Sequence, residues 1–196
     1  VIDTGVAYEA WSDASGDYVA APSLASSSIV APWDFVNNDA HANDDHQHGT
    51  HIASSIASNG SVEGVAAGAA LMPLKVLDEN NSGTELYLIE AIHHAVDQGA
   101  DVINMSLSFD LRYMPSMALL EALDRASEAG VVMIAATGNN GADVISYPAA
   151  SPLVLAVGAT DASGNDVAPY SNRSNRVDVL APGGQMDADL NGDGIA

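Results

Sequence analysis

The chain has 196 residues, of which 47% are hydrophobic, and 26 acidic residues against 5 Lys plus Arg give a formal net charge of −21 at pH 7. This length predicts one domain with a sizeable core. So negative a surface makes nucleic acid and anionic membranes poor partners. The absence of cysteine excludes disulfides, metal thiolates and a cysteine nucleophile, and no apolar run is long enough for a transmembrane helix.

The first half of the chain predicts short strands, irregular loops and one helix. The helix is expected because Ala53, Ile56 and Ala57 fall on one helical face. In chain order the prediction is a buried strand over 1–3, irregular chain over 6–29, a short strand over 33–36, a polar loop over 37–47, a helix over 49–58 and a strand over 71–77.

The second half alternates more regularly. Ser82 and Glu85 have the spacing of a capping box, so a helix is predicted from there to Gln98. The other predicted elements are strands over 102–107, 131–136, 153–159 and 177–180 and a helix over 115–129. This alternation favours an α/β fold: a three-layer, mostly parallel, doubly wound sheet with helices on both faces.

The most informative stretch is His46-Gln47-His48-Gly49-Thr50-His51. Histidine exchanges protons near neutral pH, and the mouth of a helix after a polar loop suits a general base. An alternative is a zinc metallohydrolase, because the spacing of His46, His48 and His51 is similar to the HxHxDH motif of metallo-β-lactamase-like hydrolases. That motif requires Asp where this chain has Thr50.

Four stretches in this order resemble the subtilisin-like serine proteases, the subtilases of peptidase family S8. They are Val1-Ile2-Asp3-Thr4-Gly5, His48-Gly49-Thr50-His51, Asn104-Met105-Ser106-Leu107 and Ala136-Thr137-Gly138-Asn139. The resemblance runs over nearly the whole chain. It implies a truncated subtilisin-like fold and a serine endopeptidase, with Asp3 orienting the general base His48 and Asn139 donating a hydrogen bond to the oxyanion.

The resemblance also implies how substrate binds. A protein or peptide substrate would lie as an extended strand between two edges and fill a pocket, in a protein expected to be monomeric. The residues implied are Asn81, Ser82 and Gly83 for one edge, Ser106, Leu107 and Ser108 for the other, and Ala136, Thr137 and Gly138 for the pocket. Ser108-Phe109 departs from the family's usual Gly-Gly, so we expect a narrower pocket rim.

The family's Gly-Thr-Ser-Met-Ala motif, which carries the nucleophile, does not occur in the sequence. We therefore expect an internal piece of a longer, secreted protease, inactive by itself, with the Ser motif beyond Ala196. Residues 1–182 would be a partial catalytic domain and residues 183–196 an acidic tail. The alternative is a non-catalytic peptide-binding homologue of the subtilases.

Two further predictions concern a metal and a peptide bond. The chemistry requires no cofactor, but calcium is a possible structural ion in the full-length protein. Asp189, Asn191 and Asp193 have the alternating oxygen ligands of the first half of a calcium loop, although an acidic tail of this kind is also typical of terminal disorder. By resemblance to the subtilases, the Tyr147-Pro148 peptide is predicted to be cis.

Overall fold

The computed structural model describes residues 1–12 and 16–184, and these fall into two compact units. Unit 1 comprises residues 1–106 and 116–132, and unit 2 comprises residues 107–115 together with the described residues from 133 onward. The strands are β1 (Ile2–Asp3), β2 (Trp11–Ser12), β3 (Asp17–Tyr18), β4 (Trp33–Asp34), β5 (Leu74–Lys75), β6 (Val102–Met105), β7 (Val132–Ala136), β8 (Val154–Thr160) and β9 (Val179–Pro182). The α-helices are α1 (His48–Ala57), α2 (Glu85–Asp97) and α3 (Met117–Glu128).

Four strands of unit 1 pair in the order β4-β5-β1-β6. Strand β1 lies between its neighbours and is parallel to both, with Ile2 opposite Leu74 on one side and Met105 on the other. Ile2 and Asp3 are both fully buried. Asp3 therefore lies at the carboxyl end of an interior parallel strand, the edge at which open α/β sheets place their ligands.

The helices of unit 1 bury small and branched side chains. The Ala53 and Ala57 face of α1 packs against Val6, Leu24 and Leu71. Helix α2 packs against α3. No helix among the described residues is long and apolar enough to cross a membrane.

The start of α2 corrects the predicted capping box. The N-cap residue is Thr84, whose hydroxyl accepts a hydrogen bond from the Tyr87 amide at 3.3 Å. Ser82 instead lies in the preceding turn, where its amide donates to the Asp78 carboxylate at 2.9 Å. The predicted C-terminal end is confirmed, because Gly99 follows the cap residue with φ +76°.

Unit 2 contains strands β7, β8 and β9, paired in parallel in that order. With the parallel strands β4, β5, β1 and β6 of unit 1, this confirms the predicted mostly parallel α/β fold. Strand β9 begins two residues later than the predicted strand over 177–180. The Tyr147-Pro148 peptide is cis, as predicted.

The prediction of irregular chain over residues 6–29 missed three short elements. Strands β2 and β3 pair with each other in antiparallel fashion, and Pro22–Leu24 forms one turn of 3₁₀-helix. Strands of two residues leave too little alternation to be recognised by period.

Candidate active site

Asp3 and His48 meet in unit 1 through a short hydrogen bond. The distance from the His48 Nδ1 atom to the Asp3 Oδ1 atom is 2.7 Å. The Asp3 side chain is 1% exposed, whereas that of His48 is 34% exposed. The same Asp3 oxygen accepts from the Thr4 amide at 2.7 Å, so the carboxylate is fixed from its own backbone and can orient the ring of His48.

This contact changes the basicity of the imidazole. The hydrogen bond to Asp3 raises the pKa of His48 above its ordinary value of 6.5, while burial opposes the rise and the charges of Asp3 and Asp44 add to it. A raised pKa means that the imidazolium is favoured in the folded chain. Such a ring can accept a proton and hold it while the buried carboxylate stabilises the charge.

Two glycines allow the strand end and the start of α1 to approach this closely. A Cβ atom on Gly49 would lie 2.0 Å from the Gly5 carbonyl oxygen and 3.1 Å from the Asp3 Cβ. A Cβ atom on Gly5, whose φ is +110°, would lie 2.4 Å from the Asn43 carbonyl oxygen. The glycines of Asp3-Thr4-Gly5 and His48-Gly49 are thus required by the approach that places His48 on Asp3.

Asp44, which the sequence analysis did not single out, fixes the chain around His48. Its carboxylate accepts from the Thr4 hydroxyl at 2.8 Å and from the Thr50 amide and hydroxyl at 2.8 and 2.5 Å. It also accepts from the amides of His46 and Gln47 at 3.0 and 2.9 Å. Burial by itself would raise the pKa of Asp44, but these donors outweigh it and hold that pKa below 3.8.

The Thr4 hydroxyl completes this arrangement, because it also accepts from the Gly49 amide at 2.9 Å. Gln47, immediately before His48, has φ +91°. Residues other than glycine adopt such a left-handed backbone only where their surroundings hold them there. The Asp44 bond to the Gln47 amide is one such restraint. The backbone immediately before His48 is therefore strained, and Asp44 helps to hold it in that conformation.

Lys75 was placed within a strand by the sequence, but its role was missed. Its side chain is 1% exposed. The ammonium group donates to the carbonyls of Thr4 and Leu77, both at 2.7 Å, and to the Asp45 carboxylate at 2.6 Å. All three protons are therefore used, and the lysine ties the segment after Asp3 to the segment before His48.

The histidine cluster does not form a metal centre. No group of three or more His, Asp or Glu side chains within residues 1–12 and 16–184 is arranged to hold a metal ion. His48 is bonded to Asp3, His51 is exposed, and the rings of His46 and His48 are 6.4 Å apart in an edge-on arrangement. This geometry does not favour the zinc alternative.

The segments implied in substrate binding include an exposed turn of unit 1. Asn81, Ser82 and Gly83 are all exposed, and Gly83 pairs with Leu77 in an isolated antiparallel bridge. A Cβ atom on Gly83 would lie 2.2 Å from the Val76 carbonyl oxygen. In the other segment, the Ser106 hydroxyl accepts from the Asn104 amide group at 2.9 Å.

In unit 2, Leu107 and Ser108 lead into an aromatic cluster that the sequence analysis did not predict. The Phe109 ring stacks on Tyr113 with 3.9 Å between centroids, and Tyr113 meets Tyr147 edge-on at 6.3 Å. The Phe109 amide donates to the Tyr147 carbonyl at 2.9 Å. Phe109, which stands where the subtilases usually have the second Gly, thus contributes its ring to an aromatic cluster in unit 2.

Asn139 follows strand β7 in unit 2, directly after Ala136, Thr137 and Gly138. Thr137 and Gly138 are buried, whereas Asn139 is exposed. Its side-chain amide has no hydrogen-bond partner within residues 1–12 and 16–184. The predicted metal ligands Asp189, Asn191 and Asp193 lie outside the described residues.

Comparisons with known proteins identify the family of the chain. The model of the subtilase family matches residues 1–195, so the chain belongs to the subtilase family. Thermophilic serine proteinase of Bacillus sp. (strain AK1) is 36% identical over 200 residues, which are 100% of this chain and 46% of that protein. Subtilisin DY of Bacillus licheniformis is 38% identical over 162 residues, 79% of this chain and 58% of that protein.

A solved structure, that of a cold adapted subtilisin-like serine proteinase, matches with a TM-score of 0.77 and 32% identity, covering 92% of this chain and 60% of that chain. The chain thus spans about half the length of the curated relatives it matches. The membership of the family and the subtilisin-like α/β fold are established by these matches together with the parallel strands of both units.

Proposed function

We propose that the protein carrying this sequence is a serine endopeptidase that cleaves peptide bonds through an Asp-His-Ser triad. In this proposal Asp3 orients and stabilises His48, and His48 is the general base. The nucleophile is a serine outside these 196 residues, and Asn139 is a donor to the oxyanion. The observation that carries the proposal is the 2.7 Å bond between a buried carboxylate and a half-buried imidazole.

The proposed chemistry assigns a proton to each step. His48 takes the proton of the serine hydroxyl as that oxygen attacks the scissile carbonyl, and Asp3 stabilises the resulting imidazolium. His48 then gives the proton to the leaving amine. The side-chain amide of Asn139 donates to the oxygen that becomes negative in the tetrahedral intermediate.

We further propose that the substrate is a protein or peptide bound as an extended strand. The exposed backbone of Asn81–Gly83 in unit 1 supports this, because extended peptides are recognised by adding a strand to exposed backbone. In unit 2, Phe109 and Tyr113 would present an apolar wall to a substrate side chain. An extracellular location fits membership of the subtilase family and the net charge of −21.

The test uses the natural protein that carries this sequence. We expect a fluorophosphonate probe to label one serine and casein to be cleaved, and we expect His48→Ala to abolish both while the protein remains folded. Turnover should fall by several orders of magnitude, because triad members act as a unit. His51→Ala is the matched control and should retain activity, since His51 is exposed.

The pH profile gives an independent readout. Only neutral imidazole accepts the serine proton, so activity should be lost as pH falls through the pKa of His48. Because Asp3 raises that pKa, the midpoint should lie above 6.5. Peptide binding without labelling would favour the non-catalytic homologue, and activity that is removed by a zinc chelator would contradict the proposal.

A further inference from the structure

We propose that Asn172 is a positioning residue that holds Asn139 in place for oxyanion binding. The inference rests on the proposed role of Asn139 and concerns contacts within unit 2 only. Asn172 is 1% exposed and lies in the loop between β8 and β9. Its side-chain hydrogen bonds reach residues that precede and follow Asn139 in the sequence.

The side-chain amide of Asn172 reaches three backbone groups around Asn139. Its Nδ2 atom donates to the Thr137 carbonyl at 3.0 Å. Its Oδ1 atom accepts from the amides of Asn140 and Ala142, both at 3.0 Å. One planar amide therefore fixes the backbone before and after Asn139 at the same time.

The backbone of Asn172 adds two bonds to the same loop. Its amide donates to the Gly138 carbonyl at 2.9 Å, and its carbonyl accepts from the Thr137 hydroxyl at 3.2 Å. Thus residues 137, 138, 140 and 142 are all bonded to Asn172, whereas the Asn139 amide group has no hydrogen-bond partner among the described residues. This is the pattern expected of a support that orients a donor without occupying it.

Gly138 leaves room for the Asn172 side chain. Its φ is +102°, and a Cβ atom at this position would lie 2.4 Å from the Asn172 Nδ2 atom. The glycine before Asn139 therefore leaves the space through which the Asn172 side chain reaches the loop. A buried amide with fixed partners on both sides does not reorganise when charge develops, and a preorganised donor is what oxyanion stabilisation requires.

The test is a double-mutant cycle on the active protein, with Asn172→Ala and Asn139→Ala made singly and together. Loss of an oxyanion-hole donor costs about 10²–10³ in kcat, a value measured in a subtilisin. We expect Asn172→Ala to lower kcat by about 10–100-fold with little change in KM, because a misplaced donor retains part of its effect. In the Asn139→Ala background the same substitution should lower kcat by less than about threefold.

Two measurements separate positioning from general damage. Ser151→Ala, which removes another buried hydroxyl of unit 2 bonded to the Leu153 amide, should leave kcat unchanged even where it lowers the melting temperature. Hydrogen exchange of the Asn140 and Ala142 amides should accelerate in Asn172→Ala. Should Asn172→Ala not fold, Asn172→Asp preserves the oxygen acceptor, loses the donor to Thr137, and is expected to show the same dependence on Asn139.

The possible failures are distinguishable. If Asn139→Ala itself leaves kcat intact, the proposed oxyanion role of Asn139 is wrong and the inference fails with it. If Asn139→Ala lowers kcat as expected but Asn172→Ala multiplies that loss in the double variant, Asn139 retains its role and the positioning role of Asn172 is refuted. An unchanged kcat in the single Asn172 variant refutes it as well.

Discussion

Removing the negative charge of Asp44 should destabilise the chain around His48. Asp44→Asn preserves the size of the side chain but replaces one acceptor oxygen by a donor. Five donors converge on this carboxylate, three backbone amides and two hydroxyls. A hydrogen bond to a charged group contributes roughly 1.5–3 kcal/mol when counted singly. Because the five share one carboxylate that water can partly reach, we expect a total loss of about 2–4 kcal/mol in the free energy of unfolding.

The loss has a defined pH dependence. The pKa of Asp44 is depressed in the folded chain, so its contribution is present above its ordinary pKa of 3.8 and is lost as pH falls through the lower folded value. The deficit of Asp44→Asn relative to the parent should therefore be full near neutral pH and shrink in acid. The same substitution should lower the pKa of His48, because the charge of Asp44 helps to raise it.

The assay is urea denaturation at several pH values, together with NMR titration of the His48 ring, on the protein that carries this sequence. Asp124→Asn is the matched control, because Asp124 is exposed on α3, and it should change the unfolding free energy by less than about 0.5 kcal/mol. If Asp44→Asn and Asp124→Asn were equally stable and His48 titrated at the same pH in both, the role of Asp44 in fixing the chain around His48 would be refuted.

Three further predictions address a close approach, a strained residue and the charge. Gly49→Ala should destabilise the protein by about 1–3 kcal/mol or more and lower its activity, because the added Cβ would meet the Gly5 carbonyl. Gly68→Ala is the control, since the space around its Cβ is open. Equal melting temperatures for the two variants would contradict the reasoning. Gln47→Gly should raise the unfolding free energy by about 1 kcal/mol by relieving the left-handed backbone, whereas Gln98→Gly, at φ −90°, should bring no such gain. With a net charge of −21, the melting temperature should rise as sodium chloride reaches about 1 M, where the screening length is roughly 3 Å, and a fall would show that repulsion is not limiting.

The sequence was sufficient to predict the alternation of strands and helices and the meeting of Asp3 with His48. The alternation follows from hydrophobic period, whereas the meeting of Asp3 with His48 was implied by the resemblance of their motifs to those of the subtilases. The short strands β2 and β3 and the true cap at Thr84 were missed because the local signals there are too short or ambiguous. Ser82 and Thr84 both satisfy the preference for an N-cap residue, and only the turn that engages Ser82 decides between them.

The supporting residues of the site could not be predicted from local pattern. Lys75 bonds to Thr4, 71 positions away in the chain, and Asn172 bonds to Thr137, 35 positions away. Lysine inside a strand and asparagine in a loop have many possible partners. Only the folded chain specifies which carbonyls and amides lie within reach, so these roles emerge from tertiary contacts.

The pairing of β1 also has a consequence for the order of folding. Ile2 has no strand partner nearby in the chain, because its neighbours in the sheet are Leu74 and Met105. Each of these pairings closes a long loop before it gains any contact, and such non-local closure slows folding. Strands β5 and β6 must both be present before β1 has its two neighbours in the sheet. The burial of Asp3 is therefore expected to come late in folding. His48 precedes Met105 in the chain, so the proposed general base would be synthesised before the strand pairing that completes the surroundings of Asp3 is possible.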